Sequence, residues 1–244
     1  MMNTYFLNRL FSPFIAGFCV LILFLNSCKD ETVVAPSTLP DYSTYYPMEE
    51  GYWVEYAVDS IVHLDNDDVN LVDTSILTYH FYIHEQVDTE FVDGEGDTAR
   101  VILRYRRDND TLPWELSAVW SAKITAAGLE KVEDNRRYVR LAFPMNSRIH
   151  WNGNAYNDLD EESYSYDNLF EPDSYGGFNF DSTVTVTQND FTSNINHIYK
   201  SEVYGNHAGL LYKKIDSVYV YHGSIPPVIL NGVEYTQTLI DYAH

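Results

Sequence analysis

The stretch Ser75–Val87, SILTYHFYIHEQV, alternates its side chains with a period of two. Its apolar and aromatic odd positions, from Leu77 to Ile83, would face a core. The even positions, from Thr78 to His84, would face outward. Such alternation in a stretch rich in β-branched and aromatic residues predicts a strand with one buried face.

Similar alternation recurs along the chain, which predicts an antiparallel sheet built from hairpins. It is carried by Val101, Leu103 and Tyr105; by Val139, Leu141 and Phe143; by Val184 and Val186; and by Val218 and Val220. Turn-rich stretches separate the runs: Asp65–Asp68, Asp93–Asp97, Asp108–Asp110, Asp134-Asn135 and Gly205–Gly209. The best helical candidate is Thr192–Tyr204. We predict an all-β domain of about eight to ten strands, a strongly curved sheet, barrel or sandwich with at most one short helix.

The N-terminal segment Met1–Ser27 has the order of a secretory signal peptide. A single charge, Arg9, precedes an apolar run from Phe14 to Leu25, which is shorter than the roughly 20 residues of a membrane-spanning helix. Leu25-Asn26-Ser27-Cys28 resembles the bacterial lipobox, in which the Cys is acylated. We therefore predict a signal peptide over residues 1–27, lipidation of Cys28, a flexible tether over residues 28–45 and one β domain over residues 46–244.

The residues after the predicted lipidation site indicate on which side of the membrane the domain lies. Lys29-Asp30-Glu31 resembles the short signal that sends lipoproteins of Bacteroidetes-type bacteria to the cell surface. The resemblance implies anchoring in the outer membrane with the domain facing the exterior. A solvated tether would have the same composition, so the periplasmic face is the alternative.

Composition limits the partners. The chain carries 36 acidic and 15 basic residues, for a net charge of −21, which makes nucleic acid a poor partner. The other cysteine, Cys19, lies in the predicted signal peptide. After acylation of Cys28, no thiol would be left for a disulfide, a metal site or a nucleophile. We expect no cofactor.

Two segments share an aromatic-Pro-Met start and a later Trp. These are Tyr46-Pro47-Met48 with Trp53, and Phe143-Pro144-Met145 with Trp151. In each, the proline would fix a turn and the Trp would start a strand and seal one end of the core. A duplicated half-domain would account for the match.

These segments, with Ala208–Lys213 and Tyr235-Thr236-Gln237, resemble a family of uncharacterised Bacteroidetes outer-membrane lipoproteins. The family pattern opens with aromatic-Pro-Leu-x-x-Gly-x-x-Trp. The resemblance implies a lipocalin-like barrel or half-barrel and supplies no activity.

Candidate metal ligands do not form a convincing site. His80 and His84 lie on one predicted strand, about 13 Å apart at 3.3 Å per residue, too far for one zinc ion. Neither Asp65–Asp68 nor Asp93–Asp97 completes a calcium loop with its closing Glu. We interpret these stretches, and the acidic group Asp158–Glu162, as hairpin tips, and expect no metal site.

No motif predicts an enzyme. The sequence lacks a Gly-x-Ser-x-Gly elbow, a phosphate-binding glycine loop and a His-Glu-x-x-His pair. Five Asp-Ser/Thr triplets resemble O-glycosylation acceptors of Bacteroidetes secreted proteins, although a turn followed by a strand gives the same pattern. They are Asp59-Ser60-Ile61, Asp97-Thr98-Ala99, Asp110-Thr111-Leu112, Asp181-Ser182-Thr183 and Asp216-Ser217-Val218.

An arginine stripe is the candidate ligand site. Arg100, Arg104 and Arg106 would share the face opposite Val101, Leu103 and Tyr105, and Arg140 would lie opposite Val139 and Leu141. Arginine forks suit carboxylate or sulfate groups, and Tyr138 could stack on a sugar ring. We predict that Arg100, Arg104, Arg106, Tyr138 and Arg140 contact a glycan or other anion. The alternative is cross-strand pairing with Asp and Glu.

These patterns favour a lipid-anchored, non-catalytic binding module. The alternative is a structural or accessory subunit that binds other envelope proteins in an outer-membrane complex.

Overall fold

The computed structural model describes residues 41–64, 76–223 and 227–243. The predicted signal peptide, Cys28, Lys29-Asp30-Glu31 and Asp65–Asp68 lie outside these residues. Within the described ranges, no helix has the length and apolar character needed to cross a membrane.

In the described residues, twelve antiparallel strands form one sheet, which confirms the predicted all-β class and exceeds the expected eight to ten strands. The strands are β1 (Trp53–His63), β2 (Ile76–Val92), β3 (Thr98–Arg107), β4 (Glu115–Thr125), β5 (Gly128–Glu133), β6 (Arg136–Ala142), β7 (His150–Asn152), β8 (Ser163–Tyr175), β9 (Phe178–Thr192), β10 (Asn196–Gly205), β11 (Gly209–Tyr221) and β12 (Val228–Tyr242).

The strand order closes the sheet almost completely. It runs β6-β5-β4-β3-β2-β1-β12-β11-β10-β9-β8-β7, so β1 and β12 pair in the middle and β6 and β7 form the two edges. The edges approach each other: the Val139 N–H donates to the Gly153 carbonyl at 2.9 Å, and the Trp151 indole donates to the Val139 carbonyl at 2.9 Å. Closure of this kind protects edge strands from pairing with other chains.

The two aromatic-Pro-Met segments precede corresponding strands. One leads into β1 and the meander β1–β6; the other leads into β7 and the meander β7–β12. Trp151 packs against Tyr166, with ring centroids 4.7 Å apart, and contacts the core as predicted. Trp53 does not. It lies on the face opposite the buried Val54 and stacks on His84 at 5.6 Å.

The helical candidate Thr192–Tyr204 is wrong. It contains the end of β9, a turn and most of β10. Its apolar residues at helical spacing pair across strands instead, as Ile198 does with Phe191 and Ser217. Strand pairing with two neighbours outweighs a weak helical pattern in a segment rich in β-branched residues.

The described fold begins before residue 46. Tyr42–Tyr45, assigned above to the tether, form a 3-10 turn capped by Asp41. Tyr45 is buried, and its hydroxyl lies 2.6 Å from the Ser182 hydroxyl. Asp41–His244 forms one compact unit.

Burial corrects the assignment of faces in β3. Ile102 is only 2% exposed, whereas Val101, Leu103 and Tyr105 are half-buried. Arg104 therefore shares the inner face with Ile102. Both faces of this strand carry apolar residues, so its alternation does not say which face points inward.

Candidate functional site

Charged side chains line a cavity inside the sheet. Its volume is about 180 Å³, and strands of both meanders contribute to it. Four cations and three carboxylates lie in its wall: Arg104, Lys131, Arg140 and Lys213, with Glu85, Glu133 and Glu202. Aromatic rings complete the wall, among them Tyr46, Trp120, Tyr204 and Tyr235.

The seven charged groups alternate in sign along one continuous series of contacts, which we call the interior charge chain. It starts with Arg104 and Glu85, which are in direct contact. Nitrogen–oxygen distances along the rest are 3.2 Å (Glu85–Lys131), 3.5 Å (Lys131–Glu133), 2.7 Å (Glu133–Arg140), 3.6 Å (Arg140–Glu202) and 3.0 Å (Glu202–Lys213). Both ends of the chain are cations.

The middle of the interior charge chain is deeply buried. Glu202 is 2% exposed, and Arg140, Lys131 and Glu85 are each 5% exposed. Charged groups at such depth are tolerated only when they are paired and hydrogen-bonded. Further contacts support two of them: the Tyr204 hydroxyl donates to Glu202 at 2.6 Å, and the Lys131 ammonium lies 4.7 Å from the centre of the Trp120 ring. Among the described residues, the buried Nε of Arg140 has no hydrogen-bond partner.

The shifted pKa values of the buried carboxylates and of the buried lysine favour their charged forms. Burial alone would raise the pKa of Glu202, but Lys213 and Arg140 lower it to about 2. In the same way, Lys131 and Arg104 outweigh burial and lower the pKa of Glu85. Burial disfavours the Lys131 ammonium, yet Glu85 raises its pKa above the ordinary value. Glu202, Glu85 and Lys131 are therefore charged at neutral pH.

The structure divides the predicted arginine stripe. Arg104 and Arg140 line the cavity together. The Tyr138 ring lies under the Arg140 guanidinium, with its centre 4.3 Å from the guanidinium carbon. Arg100 pairs instead with Glu90 at 3.0 Å, and Arg106 pairs with Asp108 at 2.9 Å; neither lines the cavity.

Each of these four arginines thus has a carboxylate partner, the arrangement named above as the alternative to a ligand site. A ligand on the predicted residues stays a prediction.

Sequence reasoning missed five members of the interior charge chain: Glu85, Lys131, Glu133, Glu202 and Lys213. One of them could have been predicted from the sequence. Glu85 continues the odd-numbered series of Phe81 and Ile83, a polar residue on the face predicted to be buried. A charge in register with a core face predicts a buried partner.

The acidic turn Asp93–Asp97 surrounds a lysine. The Lys123 ammonium lies 2.8 Å from Asp93 and 2.9 Å from Asp97, and also bonds Glu95. The three carboxylates offer oxygens within 4.8 Å of one another. Hydrogen bonds from Lys123 and from the backbone lower the pKa of Asp93 to about 2. A protein cation thus stands where a calcium ion would be held.

Replacing this lysine should create a calcium site. In Lys123→Met the three carboxylates lose their cation, and oxygen-only sites of extracellular proteins bind calcium with Kd values of about 0.1–1 mM. At 10 mM calcium, we expect Tm of the variant to rise by about 3–10 °C, while that of the parent does not change. Lys214→Met, which removes a lysine beside one carboxylate, Asp216, is the control. Equal calcium responses of all three proteins would contradict the prediction.

The two histidines have separate partners. His80 lies 2.8 Å from Asp59, and His84 lies 3.1 Å from Glu55. His84 also contacts Trp114 at a centroid distance of 5.5 Å. Each histidine belongs to its own polar contact on the sheet.

The Asp-Ser/Thr triplets fall at different places in the fold. Only Asp97-Thr98-Ala99 begins a strand, as the turn-to-strand explanation requires. The triplets at Asp59, Asp181 and Asp216 lie inside β1, β9 and β11. Turn-to-strand boundaries therefore do not account for these three, and their modification stays a prediction.

Comparisons with known proteins give similarities of fold only. No family model and no curated protein matches the chain. A candidate lipoprotein from Parabacteroides distasonis aligns with 8% identity and a TM-score of 0.38, over 82% of this chain and 98% of that one. A candidate exported protein with a YmcC-like fold from Bacteroides fragilis aligns with 12% identity and a TM-score of 0.40, over the same shares. At these scores neither similarity carries an argument about this chain.

Proposed function

We propose that this protein is a lipid-anchored, non-catalytic binding module of the outer membrane whose interior cavity takes a small anionic ligand. The observation that supports this is the excess of one positive charge in the cavity wall, inside a chain whose net charge is −21. Such a local reversal of sign concentrates anions in the cavity. The aromatic rings of the wall suit a sugar ring, so an acidic sugar is the proposed ligand class.

The state of the carboxylates supports a binding role over a catalytic one. A glycosidase needs one carboxylic acid with a raised pKa to protonate the leaving group. In the interior charge chain, neighbouring cations lower the pKa values of Glu85, Glu133 and Glu202. These groups hold cations in place and are not poised to donate protons.

The location belongs to the same proposal. Acylation of Cys28 would anchor the protein, and Lys29-Asp30-Glu31 supports display on the outside of the cell.

Ligand-induced melting shifts test the proposed function. Glucuronate and glucose 6-sulfate at 20 mM should raise Tm of the full chain in detergent by a few degrees, because a ligand that binds only the folded state stabilises it. Neutral glucose, matched in size, should not. An equal response to glucose, or no response to either anion, would contradict the proposal.

One observation favours the accessory-subunit alternative. Leu116 and Val119 on β4 are 56% and 58% exposed and pair with Tyr105 and Leu103 on β3, which leaves an apolar strip on the outer face. If the protein binds no small anion but copurifies in a fixed ratio with an envelope protein, the accessory-subunit function is favoured.

A further inference from the structure

The two ends of the interior charge chain differ from its middle. Lys131 contacts two carboxylates, and so does Arg140. Among the described residues, Arg104 contacts only the carboxylate of Glu85, and Lys213 only that of Glu202. The unmatched positive charge of the cavity therefore belongs to its terminal cations.

Exposure distinguishes the same two residues. The side chains of Arg104 and Lys213 are 16% and 18% exposed, against 7% for Lys131 and Arg140. A ligand that enters the cavity meets the terminal cations without displacing a carboxylate from a middle one. Displacement would leave a buried charge unpaired, which is strongly unfavourable.

Neutral hydrogen-bonding groups connect the two ends. Tyr235 interacts with Arg104, and its hydroxyl donates to the Gln237 side-chain oxygen at 2.7 Å. Gln237 is 2% exposed and pairs with Lys213 across β11 and β12. Arg104 and Lys213 thus line the same cavity, each beside a neutral polar side chain, Tyr235 for Arg104 and Gln237 for Lys213.

We propose, on the basis of the proposed function, that the ligand places one carboxylate at Arg104 and Lys213 and thereby closes the interior charge chain. One added negative charge gives four charges of each sign. The ligand class is a small monocarboxylate, with a uronic acid as its sugar form. The arginine fork matches the planar carboxylate, and the lysine adds a second charged donor. Arg140 already contacts two carboxylates, those of Glu133 and Glu202.

Glucuronate binding by four variants of the full chain tests this assignment. Arg104→Gln and Lys213→Gln should each weaken glucuronate binding about tenfold or more, because each loses a charge-assisted hydrogen bond. Arg107→Gln is the matched control, since it removes an arginine of the same strand that lies outside the cavity; its affinity should stay within about twofold of the parent. Glu85→Gln should bind glucuronate more tightly, because Arg104 then has no carboxylate partner.

The outcomes separate the two proposals. If the parent binds glucuronate and neither Arg104→Gln nor Lys213→Gln weakens it, this assignment is wrong and the proposed function stands. If the parent binds sulfate esters but not glucuronate, the carboxylate class is wrong. If the parent binds no small anion, the proposed function fails and this inference fails with it. Should either loss variant not fold, weaker or unchanged binding by Glu85→Gln overturns the assignment.

Discussion

Replacing Arg140 by Met should lower the free energy of unfolding by about 3–5 kcal/mol, because breaking a buried ion pair leaves uncompensated charge behind. Arg140 sits between Glu133 and Glu202, at 2.7 and 3.6 Å, and is 5% exposed. Methionine fills similar space but supplies no charge. Chemical denaturation of parent and variant at pH 7 gives the difference.

A surface arginine provides the control for this effect. Arg106 also pairs with a carboxylate, Asp108, but the two side chains are 45% and 67% exposed. Such pairs contribute about 0–1 kcal/mol, so Arg106→Met should have little effect. Equal losses of stability in the two variants would show that the interior charge chain is not a buried network.

The effect of Arg140→Met should depend on pH in a defined direction. In the parent, the lowered pKa values of Glu133 and Glu202 contribute stability that is present above the unfolded pKa of about 4.5 and is lost as the pH falls through the folded value. The variant lacks most of that contribution. The gap in stability between the two proteins should therefore be widest at neutral pH and narrow below about pH 4.

Replacing Cys28 by Ala should move the protein almost entirely from the membrane fraction to the soluble fraction. Each buried methylene of an acyl chain contributes about 0.8 kcal/mol to membrane binding, and stable anchoring needs more than one chain. The variant has no site for such chains. Fractionation of cells after a high-salt wash, followed by immunoblotting, measures the difference.

Cys19→Ala is the matched control, because it removes the other cysteine, which lies in the predicted signal peptide; it should stay in the membrane. Equal retention of Cys28→Ala and the parent would contradict lipidation. Protease treatment of intact cells then shows on which side of the outer membrane the domain lies. A domain that is digested only after the cells are lysed faces the periplasm, and the export interpretation of Lys29-Asp30-Glu31 would then be wrong.

The sheet could be predicted from alternation, but its inner face could not be predicted everywhere. In β2, Phe81 and Ile83 face the core as expected, while Leu77 and Tyr79 on the same face are each 43% exposed. Ile76 and Leu77 pair with the last residues of β1, where this pair of strands ends. Alternation predicts which residues share one face of a strand, but it does not predict how many of those residues the core covers.

The candidate site was partly predictable for a related reason. The sequence predicts Arg104 and Arg140 as neighbours on one arginine stripe, and the structure places both in one interior cavity. Their partners Glu85 and Glu202 are distant in sequence, at positions that differ by 117. Only the closure of the sheet, which no local pattern specifies, brings the charges of both meanders together.

The ring-like order of the strands also allows circular permutation, in which the chain starts at a different strand. The Ala243 N–H donates to the Trp53 carbonyl at 2.9 Å, so the end of β12 lies beside the start of β1, and a linker from residue 243 back to residue 41 could join the two ends of the domain. A cut between β6 and β7 would then leave all pairings of the twelve-stranded sheet in place. Tyr42 stacks on Phe143 at 5.5 Å, so the new terminus would emerge beside the old one. With the anchoring proposed above, a circular permutant attached through residue 143 would keep its attachment point at the same place on the domain.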